Sequence, residues 1–280
     1  MKRVAVVGST NLDTIYYVDR PLTLHYKGRA SSRVETVGGS AANTAVWLAD
    51  AGCAVSLFSS VGTDEAGSFC LRSLAKSPHL DLSNVIRHPG TTSTAVCITS
   101  PLDKVIVTYA DRSPDQPLSA QARADDFHHI HIAARDSNRT AVDLLSAKSV
   151  RTSVSLELNG RTSSAFAPYA DVIFSNADDL GLTGELTRSD AAGLLAQIGA
   201  RPTTLLVLTR GVRGSVCFSS ENQPVAVEAQ MVDVIDRTGA GDAFDAGFLT
   251  ARLEDRPIAQ CLVSGQDFAT RCLRLVGGGL

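Results

Sequence analysis

Short β-branched runs alternate with stretches of helical spacing along most of this chain. That alternation limits the fold more than any other feature. VAVVG (4–8), AVSLF (54–58), HHIHIA (128–133), SVSLEL (153–158), DVIFSN (171–176) and TLLVLTRG (204–211) have the length and composition of buried strands. Helical stretches lie between several of them, for example 189–199. In SAANTAVWLADAG (40–52), Ala41, Ala45, Leu48 and Ala49 recur at helical spacing, and Gly52 suits a helix C-terminus. Strands joined through helices run parallel, because the crossover returns the chain to the same edge direction. The pattern predicts an α/β fold with a mostly parallel central sheet flanked by helices. GSVCF (214–218) and VAVEA (225–229) follow with only a short connection, which predicts an antiparallel edge. Two helices, 240–253 and 257–274, close the chain.

Two segments break the rhythm. Residues 12–36 hold alternating residues and no convincing helix, and 92–110 read as two strands around the turn SPLDK. These four strands are expected to form a small sheet inserted as a lid into a single domain spanning 1–280. Such a flap would cover a site.

Composition narrows the function classes. The chain has 280 residues, a formal net charge of −3 and 44% hydrophobic residues. That length buries a full core. The near-neutral charge argues against a nucleic-acid partner, and no run approaches the apolar length of a membrane span. The apolar run Val4–Val7 is too short for a secretory leader and reads as a first strand, so a cytoplasmic protein is expected. The six cysteines form no C-x-x-C pair and sit in apolar contexts, as reduced, mostly buried thiols do.

The stretch IDRTGAGDAFDAGF (235–248) carries the chemistry. A glycine turn enters a helix whose first N–H groups lack internal partners and carry partial positive charge. Glycines at 239 and 241, with Ala240 between them, let those groups converge on an anion. Asp242 beside a phosphate would repel it, unless it takes a proton from a hydroxyl that attacks that phosphate. The alternative reading is an ordinary N-terminal carboxylate on a core helix, with Phe244, Phe248 and Ala251 forming the buried face. Neither a G-x-x-x-x-G-K-[ST] loop nor a G-x-G-x-x-G fingerprint occurs.

A second glycine turn, Gly38–Gly39 in VGGSAANTA, leads into the helix bearing Asn43, whose amide suits a sugar hydroxyl. Asn11 and Asp13 follow the first strand in GSTNLD, near the crevice where open α/β sheets bind ligands. Asp13 can accept bonds from two neighbouring hydroxyls, whereas Asn11 alone reads as a turn residue.

Together, GSTNLD, VGGSAANTA, VGTDEAG (61–67) and DRTGAGDAF (236–244) resemble, in order and spacing, the ribokinase-like (PfkB) carbohydrate kinases over nearly the full length. The resemblance implies a three-layer ribokinase-like α/β fold with a β-sheet lid. It implies transfer of the γ-phosphate of ATP, with magnesium, to a hydroxyl of a sugar or sugar-like small molecule. It assigns Asp242 as the base, Gly239, Ala240 and Gly241 as the anion hole, and Asn11, Asp13, Gly38, Gly39 and Asn43 to the sugar. ELNGR (157–161) resembles the family's D-x-N-x-R stretch, with Glu157 where Asp is usual and Asn159 beside it. Thr209, Gly211 and Gly214 resemble the nucleotide-side turn. A potassium site near Asp236 and pairing of two copies through the lid are implied by the resemblance; exposed lid edges also call for cover.

The departures matter equally. The family's N-x-x-E motif, which organises magnesium through water, reads NADD here: Asn176 matches and Asp179 is one methylene short. Arg237 stands where a small or hydroxyl residue is frequent, as a phosphate-holding cation or a solvent-directed one. The C-terminal LRLVGGGL is short, which reduces the last wall of an adenine pocket. His128, His129 and His131 complete no metal pattern and read as strand-end or crevice histidines, with 129 and 131 on one face. Trp47 reads as core, and Tyr16 and Tyr17 point to opposite faces of a lid strand. Two further readings stay open: a nucleoside kinase of the same fold, and a non-catalytic sugar- or nucleotide-binding protein.

Overall fold

The computed structural model describes residues 1–23, 25, 27–100, 104–109, 126–134, 138–147, 152–158, 164–182, 184 and 186–278. Asn159 and the tip of the SPLDK turn (101–103) lie outside them.

β1 (Arg3–Gly8) is an interior strand of a 10-stranded sheet. Val4, Ala5, Val6 and Val7 are all fully buried, as expected of a strand covered on both faces. β4 (Ala54–Gly62) and β9 (His129–Ala133) flank it in parallel. Beyond β9 the sheet continues in parallel through β10 (Ser153–Glu157), β11 (Val172–Asn176) and β12 (Leu205–Thr209). β13 (Ser215–Phe218) and β14 (Val225–Val227) then form the antiparallel edge that the short connection predicts. At the other edge, β5 (Leu80–Asp81) and β6 (Val85–His88) pair with the two halves of β4. These two strands are too short to register as periodic runs in the sequence.

The pleat sends alternate residues to opposite helical layers. Val4 and Val6 pack with Trp47, Phe174, Phe244 and Phe248 under α1 (Ser40–Asp50), α5 (Ala240–Leu253) and α6 (Ile258–Leu273). Ala5 and Val7 pack with Ile130, Leu156 and Leu206 under α3 (Arg139–Ser146) and α4 (Arg188–Gln197). Trp47 is core, as its helical position predicts. All six cysteines are free and buried. Among the described residues no helix is long and apolar enough to cross a membrane.

The histidines correct one expectation. His129 and His131 do not face the crevice but lie buried beneath the helical layer that holds α5. His129 spans Ser153 Oγ (2.7 Å) and Ser155 Oγ (2.8 Å), and His131 Nδ1 meets Ser155 Oγ at 2.8 Å. Burial holds both imidazoles down at about 3, so they are neutral at physiological pH. His128 points away and accepts a bond from the Arg3 N–H.

A second, separate sheet has the order β3-β2-β7-β8. β2 (Asn11–Tyr17) and β3 (Ser32–Gly38) come from the first pattern break, β7 (Thr94–Thr99) and β8 (Lys104–Tyr109) from the second. Each pair is antiparallel, and β2 joins β7 in parallel. Between the sheets, α2 (Glu65–Leu74) follows VGTDEAG, with Asp64 capping it by accepting from the Gly67 N–H. The sequence marks this stretch as a motif without announcing its helix.

Candidate active site

The parallel strands end on one side of the main sheet, and their last residues include Gly8, Glu157, Asn176 and Thr209. Asn176 and Thr209 are register partners on adjacent strands. Two helices begin over this edge, α1 after Gly39 and α5 after Gly239, and neither has a side-chain cap. α2, α3 and α4 are capped by Asp64, Asn138 and Thr187, while α6, which starts after Pro257, also lacks a side-chain cap. A helix start without a side-chain cap leaves N–H groups available to other acceptors.

At α5, Gly239 takes the left-handed conformation, with φ 74°. The Ala243 N–H then closes the first turn onto the Gly239 carbonyl. Among the described residues no acceptor meets the N–H groups of Gly241 and Asp242. A methyl group built on Gly241 would touch nothing within 4 Å, so this side of the turn faces open space. Those are the attributes of an anion site.

Asp242 sits in the first turn of α5, half-buried. Its Oδ2 accepts from Asn43 Nδ2 on α1 at 2.7 Å. Desolvation pushes its carboxyl well above 3.8; Glu157 and Asp13 reinforce this, while bonds from Asn43 and Ser40 oppose it. Glu157 Oε1 in turn accepts from Ser40 Oγ at 3.3 Å. The ends of β10, α1 and α5 thus converge on one acidic centre.

Asp13 approaches the centre from the second sheet. It is buried, and Asn11 Nδ2 donates to its Oδ1 at 3.1 Å. Burial raises its carboxyl, while the Asn11 bond and the Lys104 charge pull it down. Gly38 makes room for it, since a methyl there would lie 2.1 Å from Asp13 Oδ2. Gly39 has φ 98°, and a methyl on it would meet the Ser9 carbonyl at 2.5 Å.

The residues expected on the nucleotide side lie at the ends of β11 and β12. Asn176 Oδ1 accepts from the Asp178 N–H at 2.8 Å, which folds the NADD turn back on itself. Asp179 and Arg237 are exposed. Gly211 and Gly214 flank the short turn to β13 with φ 55° and 81°; at Gly214 a methyl would strike the Val227 carbonyl.

Several residues at the site escape sequence reasoning. Asp245 is buried one turn beyond Asp242, and desolvation plus the Glu157 and Asp242 charges raise its carboxyl well above 3.8. Its place three residues after Asp242 was the available signal. Ser40 bonds Glu157 from the start of α1. The C-terminal glycines also return here: the Gly278 carbonyl accepts from Trp47 Nε1 at 2.9 Å, and Gly278 lies close against Gly239. Tyr17, expected only to point to one face of its strand, donates its hydroxyl to Asp236 Oδ2 at 3.0 Å.

Several known kinases are similar to this chain over nearly its whole length. A cytidine kinase from Thermococcus kodakarensis is 28% identical over 99% of this chain and 98% of its own length. An ATP-dependent ribose-1-phosphate kinase from Halopiger xanaduensis is 27% identical over 99% and 93%. The solved structure of Arabidopsis thaliana ribokinase complexed with ribose and ATP has the same fold, with a TM-score of 0.80, 22% identity and coverage of 99% and 93%. Residues 1–279 match the pfkB family carbohydrate kinases. That whole-chain match leads to one assignment: the chain belongs to the pfkB family of carbohydrate kinases.

Proposed function

We propose that this protein transfers the γ-phosphoryl group of ATP to a hydroxyl of a sugar, or of the ribose of a nucleoside, with Asp242 as general base. The observation that carries this reading is the juxtaposition at the start of α5. A carboxylate held by Asn43 at 2.7 Å stands beside the Gly241 and Asp242 N–H groups, which no described residue engages. The acceptor hydroxyl gives its proton to Asp242 as its oxygen attacks phosphorus. The N–H groups of Gly239 and Gly241 meet the charge on the phosphoryl oxygens, joined by that of Ala240 as it gives up its 3.4 Å contact with the Arg237 carbonyl. Asn43 fixes the direction of the carboxylate. Asp13, with Asn11, Gly38 and Gly39 shaping its surroundings, binds neighbouring hydroxyls of the acceptor, and Glu157 supports the same side through Ser40.

Thr209, Gly211, Gly214 and Arg237 bound the nucleotide. Asn176 and Asp179 would hold a magnesium ion through water. An exposed carboxylate near an amide fits a hydrated ion carried by phosphates; among the described residues no group of three His, Cys, Asp or Glu offers an all-protein cage. When bound, magnesium supplies neutralising charge to the phosphates. The second sheet acts as a lid that keeps water from the phosphoryl group. Its outer strand β8 exposes Val105, Ile106, Val107 and Tyr109, and this edge supports pairing of two copies through the lid. A cytoplasmic location accords with this chemistry.

The test is ADP formation with ATP and magnesium across pentoses, hexoses, keto-sugar acids and nucleosides. Asp242→Asn is expected to lower kcat by about 100-fold or more while leaving nucleotide binding in place. Turnover by Asp242→Asn at the unmodified rate would remove the assigned role. Binding without turnover on every acceptor would favour a non-catalytic protein.

A further inference from the structure

The second sheet reaches the turn before α5 at one rung. Tyr17, Thr99 and Lys104 are register partners across β2, β7 and β8. From the two outer positions, Tyr17 and Lys104 both extend to Asp236, three residues before Gly239. The Asp236 side chain is fully buried, and that of Lys104 is 20% exposed. The Lys104 ammonium lies 3.8 Å from Asp236 Oδ1 and donates to Thr238 Oγ1.

The remaining bonding capacity of Asp236 is also taken. Oδ1 accepts from the Thr238 N–H (2.9 Å) and Thr238 Oγ1 (2.7 Å). Oδ2 accepts from the Tyr17 hydroxyl (3.0 Å) and the Gly277 N–H (3.1 Å). A potassium ion needs carboxylate and carbonyl oxygens with lone pairs turned toward it. Here the carboxylate is ringed by donors, and a primary ammonium stands beside it. The residues near Asp236 therefore do not fit the potassium site that the family resemblance implies.

We propose that Lys104 is a positioning residue whose ammonium serves as a tethered cation for Asp236, making the turn that carries the anion hole independent of added monovalent cation. The physical need is plain. A buried carboxylate requires a compensating charge or a full set of donors. Asp236 anchors the 237–241 turn through Thr238, so whatever neutralises Asp236 also fixes the N–H groups that follow. Because the charge arrives on β8, seating the second sheet and ordering the turn become one event.

The activity readout rests on the phosphotransfer reading; the stability readout does not. The unmodified protein should show the same Tm, and the same kcat/KM, in potassium, sodium and choline chloride at equal ionic strength. Lys104→Met, which keeps the stem without the charge, should lose about tenfold or more in kcat/KM, the scale of a charged hydrogen bond. It should regain part of that loss with potassium or ammonium, and its Tm should rise in those salts over choline. Lys104→Arg should retain cation independence. A potassium-specific rise in Tm or activity of the unmodified protein overturns the proposal. So does a Lys104→Met protein whose kcat/KM is unchanged, or whose loss no cation restores. If no acceptor is ever turned over, the Tm comparison still decides.

Discussion

Two helix starts meet at the acidic centre, and both follow glycines, yet they spend those glycines differently. At α1 the space is filled by the protein itself. Gly38 admits the Asp13 carboxylate, Gly39 admits the Ser9 carbonyl, and the Ala42 and Asn43 N–H groups go to Ser9 and Gly39 carbonyls. At α5 Gly239 is pressed by Gly278 and the Ala240 N–H reaches the Arg237 carbonyl at 3.4 Å, but Gly241 opens onto space and the Gly241 and Asp242 N–H groups meet no described acceptor. The lesson is that a glycine turn before a helix is not by itself a ligand site. What distinguishes the α5 start is the open space at Gly241 beside N–H groups that lack a described acceptor.

The sharpest way to break this comparison is to add a methyl on each side. Gly38→Ala forces the Asp13 carboxylate away from 2.1 Å, with Asn11 and a sheet holding it. Overpacking of this kind costs about 1–3 kcal/mol. The expected result is a lower Tm and a KM for the acceptor raised more than that for ATP. Gly241→Ala should do the reverse to stability. It removes a helical glycine with nothing in the way, gaining up to about 1 kcal/mol. The same methyl stands where phosphate oxygens would approach, so kcat should fall by about tenfold or more. Thermal melts and steady-state kinetics on both variants check this. A stabilised Gly241→Ala with full activity would mean that the open space is idle.

A smaller effect sharpens the link between the two starts. Asn43 on α1 donates to Asp242 on α5, and that bond restrains a carboxyl which burial and Glu157 push up. Activity should rise with pH through the raised Asp242 pKa, because the base must be ionised. Asn43→Ala removes a stabiliser of the ionised form, so the acid limb of kcat/KM should move to higher pH. An unmoved limb would detach Asn43 from the base.

How much of this the sequence carried differs by distance along the chain. Local pattern located α1, α5, α6 and the parallel strands to within a few residues, since each is written in consecutive apolar spacing. The four strands of the second sheet were legible for the same reason, as breaks in that spacing. Lys104 was not legible as a partner of Asp236, because the two meet only after β8 docks beside a turn more than a hundred residues later. The two histidines show the converse. A polar cluster that read as strand-end or crevice histidines is instead held inside the core, where Ser153 and Ser155 on the next strand bond three of its four ring nitrogens. Short β5 and β6 carry too few residues to show any period.

Asp245 gives the smallest expected effect and the finest test of the α5 start. It lies beneath Asp242, buried, with its carboxyl raised by desolvation and by two neighbouring carboxylates. A carboxyl whose folded pKa exceeds its unfolded 3.8 binds more protons in the folded state between those two values. Stability therefore increases as pH falls through that window, and burial of the ionised form is a cost at higher pH. Asp245→Asn keeps the shape and removes that charge. It should raise stability at pH 8, add nothing at pH 4, and leave kcat within about twofold, since the side chain is packed below the reacting atoms rather than beside them. Denaturant midpoints at the two pH values check the sign. If Asp245→Asn instead loses stability at both, the Asp245 carboxylate is bound by a donor and the acidic centre extends one helical turn deeper than the Asp242–Asn43 contact.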